Sequence, residues 1–187
     1  MCIIVPQNIR FNSLNNSVVQ DITSLNSKLF HMHILGCNNV AFQRLKVTAP
    51  PESLNTDGIH IGRSFNLSIT DTAIKTGDDC ISFGDGSQQI VVERVTCGPG
   101  HGISVGSLGR YPNEEPVKGI TVRNCTLTNT DNGVRVKTWP ASPNGVASDM
   151  RFEGIIMNNV GNPILIDQYY CPYNKCQAKV RFFNFLW

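Results

Sequence analysis

The feature that most constrains this chain is a loose repeat of short apolar runs, each bounded by Gly or Asn. One set of runs begins near residues 40, 67, 90 and 120, at spacings of 27, 23 and 30 residues. A second set begins near residues 58, 80, 102 and 133, at spacings of 22, 22 and 31 residues. Repeats of this length indicate stacked supersecondary units. Because the runs are short and rich in β-branched residues, they are typical of strands.

The segments between the runs carry no helical pattern. No sustained i, i+3, i+4 apolar stripe occurs in the sequence, so crossover helices cannot join the strands. The repeat therefore predicts an all-β chain in which coils stack into a parallel β-helix, forming one domain over residues 1–187. The many Asn residues fall where turns are expected, since their side chains tolerate left-handed backbone. The alternative is an antiparallel β-sandwich, which the poor alternation makes the weaker interpretation.

Composition excludes several classes of function. The net charge of +2 is too small to indicate nucleic-acid binding. No apolar run reaches eighteen residues, so the sequence predicts no membrane span. The seven cysteines leave at least one unpaired thiol, and none of them has zinc-site spacing. We therefore expect no metal.

Four polar segments, at residues 55–58, 77–80, 100–102 and 135–137, fall at matching phases of the repeat. Asp57 and Asp78 are 21 residues apart, and Asp79 and His101 are 22 apart, which is about one coil in each case. Residues one coil apart stack at the strand spacing of about 4.8 Å. The spacing therefore predicts a column of three carboxyl groups and an imidazole on one face.

Such a column suits glycoside hydrolysis. Repulsion among the carboxylates should raise at least one pKa and hold a proton near neutral pH. One carboxyl group can then protonate the leaving oxygen while another acts on water, and a separation of roughly 6.5–9.5 Å leads to inversion. Asp78 and Asp79 are adjacent, so both reach the site only if the chain bends, and Gly77 allows that bend.

Two cations follow at the next phase of the repeat. Arg135 and Lys137 are two residues apart in a strand-like run and share a face. Together they can bind a carboxylate, which favours an acidic sugar as substrate. Each motif alone is more typical of ordinary turns and surfaces, and we interpret His31, His33 and His60 as structural.

The four segments together resemble a known family. Asn55-Thr56-Asp57, Gly77-Asp78-Asp79, Gly100-His101-Gly102 and Arg135-Val136-Lys137 are similar, in order and spacing, to the signature segments of polygalacturonases, glycoside hydrolase family 28, with a plant-like character. The resemblance implies a right-handed, single-stranded, pectin-lyase-like parallel β-helix. It also implies inverting hydrolysis of α-1,4-galacturonosidic bonds in pectin, with no cofactor.

The resemblance implies a role for each matching position. Asp78 would be the general acid, Asp57 and Asp79 would hold and deprotonate water, and His101 would tune or orient the carboxyl groups. The residues expected to contact galacturonate are Asn55, Arg135, Lys137 and Tyr170, with Tyr169 as the alternative to Tyr170.

The cysteines are compatible with the resemblance. A Cys80–Cys97 bridge would fasten the coil of the aspartates to the coil of the histidine, and Cys171–Cys176 would close a small loop. No partner can be assigned to Cys2, Cys37 or Cys125. Disulfides favour an oxidising compartment, and the resemblance implies a secreted, cell-wall protein. We expect a monomer whose only partner is the polysaccharide, truncated at both ends relative to the family.

Two other functions remain open from the sequence. One is a different pectin-active β-helix enzyme, such as a rhamnogalacturonan hydrolase or a pectate lyase. The other is an inactive remnant that binds pectin through its cations. The complete aspartate and histidine set opposes both.

Overall fold

The computed structural model describes residues 6–140, 142, 145–172, 176 and 184–186. Within them, strands follow one another in a repeating order of three, and each strand pairs with its equivalent in the next coil. The result is three parallel sheets. Residues 1–5, with Cys2, and residues 177–183 lie outside the described part.

The strands are numbered in chain order. The first sheet contains β1 (Ile9–Asn12), β4 (Met32–Leu35), β7 (Ile59–Gly62), β10 (Ile81–Phe83), β13 (Ile103–Leu108), β16 (Asn132–Thr138) and β19 (Asn162–Asp167). The second contains β2 (Asn15–Gln20), β5 (Asn38–Gln43), β8 (Phe65–Thr70), β11 (Gln88–Glu93), β14 (Val117–Arg123), β17 (Val146–Glu153) and β20 (Asn184–Leu186). The third contains β3 (Thr23–Leu25), β6 (Lys46–Thr48), β9 (Ala73–Lys75), β12 (Thr96–Cys97), β15 (Thr126–Thr128) and β18 (Ile156–Asn158).

The predicted parallel β-solenoid is confirmed, with about six turns. Every named strand pair is parallel, so the β-sandwich alternative is wrong. The two sets of predicted runs are strands of the second and first sheets. The sequence patterns missed the third sheet, because its strands have only two or three residues and are too short to show a period.

Apolar side chains form continuous columns inside the coil. On the first sheet, Ile34, Ile61, Phe83, Val105 and Val136 are aligned in successive strands. Each is no more than 4% exposed. Burying a side chain of this size contributes about 1.5–3 kcal/mol. The columns therefore hold neighbouring coils in register, and the register fixes which side chains stack on the outer face.

The corners between the second and third sheets explain the polar turn residues. Asp21, Arg44, Asp71, Arg94 and Asn124 occupy this corner in successive coils, each with φ between 50° and 58°. Arg44 pairs with Asp21, and Arg94 with Asp71, across one coil spacing. These ion pairs are exposed, so each contributes at most about 1 kcal/mol.

The connection that follows β13 is long compared with the equivalent connections after β1, β4 and β7, which have two residues each. Residues 109–116 join β13 to β14 and lengthen that coil. The register between β13 and β16 is nevertheless kept where Ile103 pairs with Val134 and Val105 pairs with Val136. No helix long and apolar enough to span a bilayer occurs in the part of the chain that the structure describes.

Candidate active site

The predicted column forms just before the strands of the first sheet. Asp57, Asp79 and His101 each precede an apolar residue by two positions, and those residues, Ile59, Ile81 and Ile103, are aligned in register. The backbone N–H of Gly58 donates to the carbonyl of Asp79 over 2.9 Å, which ties the first two levels together. Asp57 and Asp79 are buried.

The bend expected before the tandem aspartates is present. Residues 77 and 78 lie in a bend between β9 and β10. A Cβ atom at Gly77 would collide with the backbone of Ser53, so only glycine fits this close approach. The bend directs Asp78 towards His101, whose Nδ1 lies 2.9 Å from Asp78 Oδ1. Asp79 instead faces the outer surface of the first sheet.

Asp79 is surrounded by donors. Arg135 Nη2 lies 2.7 Å from Oδ1, and Lys137 Nζ lies 2.8 Å from Oδ2. Ser104 Oγ also donates to Oδ1 over 2.7 Å and accepts from Arg135 Nε over 3.0 Å. The predicted cations thus converge on one buried carboxylate, which offsets one of their two positive charges.

Asp57 has a different environment. Its Oδ2 accepts a hydrogen bond of 2.8 Å from Ser82 Oγ, which lies 2.7 Å from His60 Nδ1. Burial, reinforced by the charges of Asp79 and Asp78, raises the pKa of Asp57 to about 8. The predicted proton near neutral pH therefore resides on Asp57 in this arrangement.

Asp78 and His101 form a partly exposed ion pair. Burial opposes ionisation of Asp78, but the hydrogen bond and charge of His101 outweigh it and lower the pKa of Asp78. The same hydrogen bond raises the pKa of His101 against the effect of burial. The pair consequently favours a proton on the imidazole.

Aromatic side chains border the cationic end of the site. Lys137 Nζ lies 5.1 Å from the ring centre of Tyr170, and Tyr170 meets Trp139 edge to face at 6.0 Å. The adjacent Tyr169 is 63% exposed. Of the two tyrosines, Tyr170 is the one beside the predicted cations. Asn55 is exposed in the turn ahead of Asp57.

The site includes three residues that the sequence analysis did not select: His60, Ser82 and Ser104. They align with one another and with Arg135 on the outer face of the first sheet. Their shared phase, one residue after the first apolar residue of each strand, is visible in the sequence and could have identified them. Our interpretation of His60 as structural overlooked its contact with Ser82.

One group of potential metal ligands occurs among the described residues. Asp78, Asp79 and His101 bring their ligand atoms within 4.8 Å of one another. Both oxygens of Asp79 already accept from protein cations, so a metal ion here would compete with Arg135 and Lys137.

Comparisons with known proteins agree with this geometry. The family model described as glycosyl hydrolases family 28 matches residues 1–184. An exopolygalacturonase of Arabidopsis thaliana is 63% identical over 179 residues, covering 96% of this chain and 40% of that protein. An exopolygalacturonase of Oenothera organensis is 59% identical over 180 residues, covering 96% of this chain and 50% of its own length. The chain thus spans half or less of these relatives.

Solved structures share the same coil. The polygalacturonase from Erwinia carotovora ssp. carotovora superposes with a TM-score of 0.81 at 30% identity, over 89% of this chain and 44% of that one. The endo-xylogalacturonan hydrolase from Aspergillus tubingensis superposes with a TM-score of 0.77 at 27% identity, over 87% of this chain and 46% of that one.

Proposed function

The chain belongs to glycosyl hydrolases family 28, and from this premise we propose that it hydrolyses α-1,4-galacturonosidic bonds of pectic homogalacturonan with inversion. The observation that carries the proposal is the stack of three aspartates in three different environments, with two cations on one of them. Glycosidases need one carboxyl group that donates a proton and another that acts on water. Different environments are what separate such roles.

We assign the general acid to Asp78. Its side chain is 21% exposed, against 2% for Asp79, so a sugar approaching the site can reach it. His101 contacts Asp78 directly, and its raised pKa keeps a proton in the pair towards neutral pH. Transfer of that proton from His101 Nδ1 through Asp78 to the glycosidic oxygen would release the leaving sugar.

We assign activation of water to Asp57 and Asp79. Both are buried on the same column, one coil apart. Asp79 is held in one orientation by Arg135 and Lys137, so the remaining lone pairs of its oxygens can orient water. No cation among the described residues donates a hydrogen bond to Asp57, and its pKa is raised. Once deprotonated, this carboxylate is therefore a strong base, and in that form it would take a proton from water.

Arg135 and Lys137 would recognise the acidic sugar. A uronate carboxylate entering beside Arg135 and Lys137 would share them with Asp79, since both cations carry several donors. It would also bring a further negative charge close to the aspartates, which raises carboxyl pKa values and favours the acid form of Asp78. Tyr170, in contact with Lys137, would pack against the sugar, and Asn55 would border it.

The cysteines bear on the compartment in which the protein works. Two disulfides, Cys80–Cys97 and Cys171–Cys176, support an oxidising compartment, and we propose secretion to the cell wall. Cys37 and Cys125 are free and buried. We propose a monomer whose partner is the polysaccharide, with neither nucleic acid nor membrane involved.

The test is reducing-sugar release from polygalacturonic acid by the full chain, with Asp78→Asn as the inactivating variant. The matched control is Asp71→Asn, which removes an aspartate from an exposed corner far from the column. We expect activity in the parent and in the control and its loss in Asp78→Asn. A folded parent, verified by circular dichroism, that releases no sugar would refute hydrolysis and favour an inactive pectin-binding chain. An unsaturated product would instead indicate a lyase.

A second candidate substrate is a substituted galacturonan. It is supported by the likeness to the endo-xylogalacturonan hydrolase at 27% identity. Parallel assays on xylogalacturonan, rhamnogalacturonan and polygalacturonic acid would distinguish the candidates. A higher kcat/KM on xylogalacturonan or rhamnogalacturonan than on polygalacturonic acid would overturn the assignment to homogalacturonan.

A further inference from the structure

The two buried aspartates are each held by a serine one coil further on, but the serines end on different groups. Ser104 joins Asp79 to Arg135, which is always charged. Ser82 joins Asp57 to His60. The two arrangements are in register, because His60 aligns with Ser82 and Ser82 aligns with Ser104. The same scaffold therefore offers a cation to one carboxyl group and an imidazole to the other.

From this geometry we propose that His60 is a positioning residue for Asp57, acting through Ser82. When Asp57 is ionised, His60 Nδ1–H donates to Ser82 Oγ, and the Ser82 hydroxyl donates to Asp57 Oδ2. This order requires a proton on Nδ1 and excludes the neutral tautomer that is protonated only on Nε2. The hydroxyl can then point in one direction only, so Asp57 keeps one orientation. The inference rests on the proposed function for its catalytic meaning.

The ring of His60 is held in place from its sides. Phe30 stacks on it with ring centres 4.7 Å apart, and His33 packs against it at 5.3 Å. Burial lowers the pKa of His60 to about 4, so the ring is neutral at pH values well above this. A fixed ring with its proton on Nδ1 can act as a directional donor, whereas a mobile ring could not hold a single hydroxyl orientation.

The charged and titratable groups around this chain of hydrogen bonds come from four elements. His33 faces His60 from β4, and Arg10 acts on His33 from β1. The aspartates at 78, 79 and 85 flank β10, and Lys137 lies on β16. All of them stay unchanged in the variants at positions 60 and 82, so a change in Asp57 can be traced to the altered hydrogen bond.

The first experiment reads the tautomer of His60 in the full chain. Nitrogen-15 NMR of the labelled imidazoles, with His60→Asn used for assignment, is recorded above the pKa of Asp57. We expect His60 to carry its proton on Nδ1. A proton on Nε2 under these conditions would overturn the proposal, and the parent chain alone suffices for this measurement.

The second experiment titrates Asp57 by carbon-13 NMR of labelled carboxyl groups. Ser82→Ala removes the donor and should raise the pKa of Asp57 by about one unit, a tenfold change in its dissociation constant. His60→Gln moves the amide to the place of Nε2 and should shift Asp57 in the same direction. His60→Asn keeps a donor near the place of Nδ1 and should restore the parent value. The control, Asp71→Asn on an exposed corner, should leave the pKa of Asp57 unchanged.

Activity completes the test. On polygalacturonic acid, His60→Gln should lower kcat by tenfold or more with little change in KM, and His60→Asn should recover most of it. An equal loss of kcat in both His60 variants would refute a positioning role, as would an unchanged pKa of Asp57 in Ser82→Ala. An inactive parent would refute the proposed hydrolase, while the two NMR measurements would still decide the hydrogen-bond chain.

Discussion

Replacing Asp57 with asparagine should stabilise the protein increasingly as the pH rises. Burial and the neighbouring aspartates raise the pKa of Asp57 from 3.8 to about 8. An acid whose folded pKa is raised contributes fully to stability below its unfolded pKa, and that contribution is lost as the pH rises through the folded pKa. Asp57→Asn keeps the shape and removes this titration.

The magnitude follows from the shift. Each unit of pKa difference corresponds to about 1.4 kcal/mol, so the three pH units between 5 and 8 change the parent by about 4 kcal/mol relative to the variant. For a domain of this size, one kcal/mol moves the Tm by about 2–4 °C. We therefore expect the Tm advantage of Asp57→Asn to grow by about 8–16 °C between pH 5 and pH 8, then level off.

The assay is thermal unfolding of parent and variant followed by circular dichroism at half-unit pH steps from 5 to 9. Titration of His101 occurs in both proteins and largely cancels in the difference. The control is Asp21→Asn. The hydrogen bond from Arg44 lowers the pKa of Asp21, so its contribution is complete above pH 4 and the difference should be flat. A flat difference for Asp57→Asn as well would show that Asp57 is ionised at neutral pH and would refute the reasoning.

Three other substitutions test the framework of the site. Replacing Cys80 and Cys97 together by alanine opens a bridge across 17 residues and should lower the free energy of unfolding by about 3 kcal/mol; an unchanged denaturation midpoint in urea would contradict this. Lys137→Met removes one charge-assisted hydrogen bond from buried Asp79 but leaves Arg135 in place, and should cost about 1.5–3 kcal/mol, whereas a variant as stable as the parent would show that Arg135 alone suffices. Gly77→Ala forces a Cβ atom against backbone and should cost about 1–3 kcal/mol with loss of activity, and wild-type stability would show that the bend can relax.

The sequence predicted which coil each site residue occupies better than it predicted the contacts between their side chains. The distance of about one coil from Asp57 to the Asp78–Asp79 pair, and from Asp79 to His101, was enough to predict that they stack, because the strand spacing leaves little freedom. The structure aligns Asp57, Asp79 and His101, and turns Asp78 towards His101. The spacing did not predict that Lys137 and Arg135 both turn to Asp79. That choice depends on side-chain orientation and on which buried charge most needs compensation, and neither is visible in a linear pattern.

The third sheet and the serines were missed for related physical reasons. A strand such as Thr96–Cys97 is too short for any periodicity, and its place is set by the coils above and below it. The shared phase of Ser82 and Ser104 in the repeat is visible in the sequence, but the partners of their hydroxyl groups are not. Their importance appears only when the coils are stacked and each hydroxyl falls between an aspartate of one coil and a donor on the neighbouring strand.

The long connection between β13 and β14 shows what a stacked site tolerates. One coil carries the additional residues 109–116, yet Arg135 still aligns with Ser104 and reaches Asp79. Distance along the chain and distance across the site are therefore independent. Each coil has a fixed position along the axis of the solenoid. An outward side chain on one coil can therefore be exchanged without moving the coils on either side. Such a scaffold can acquire new loops around the site while the arrangement of its reacting groups stays the same.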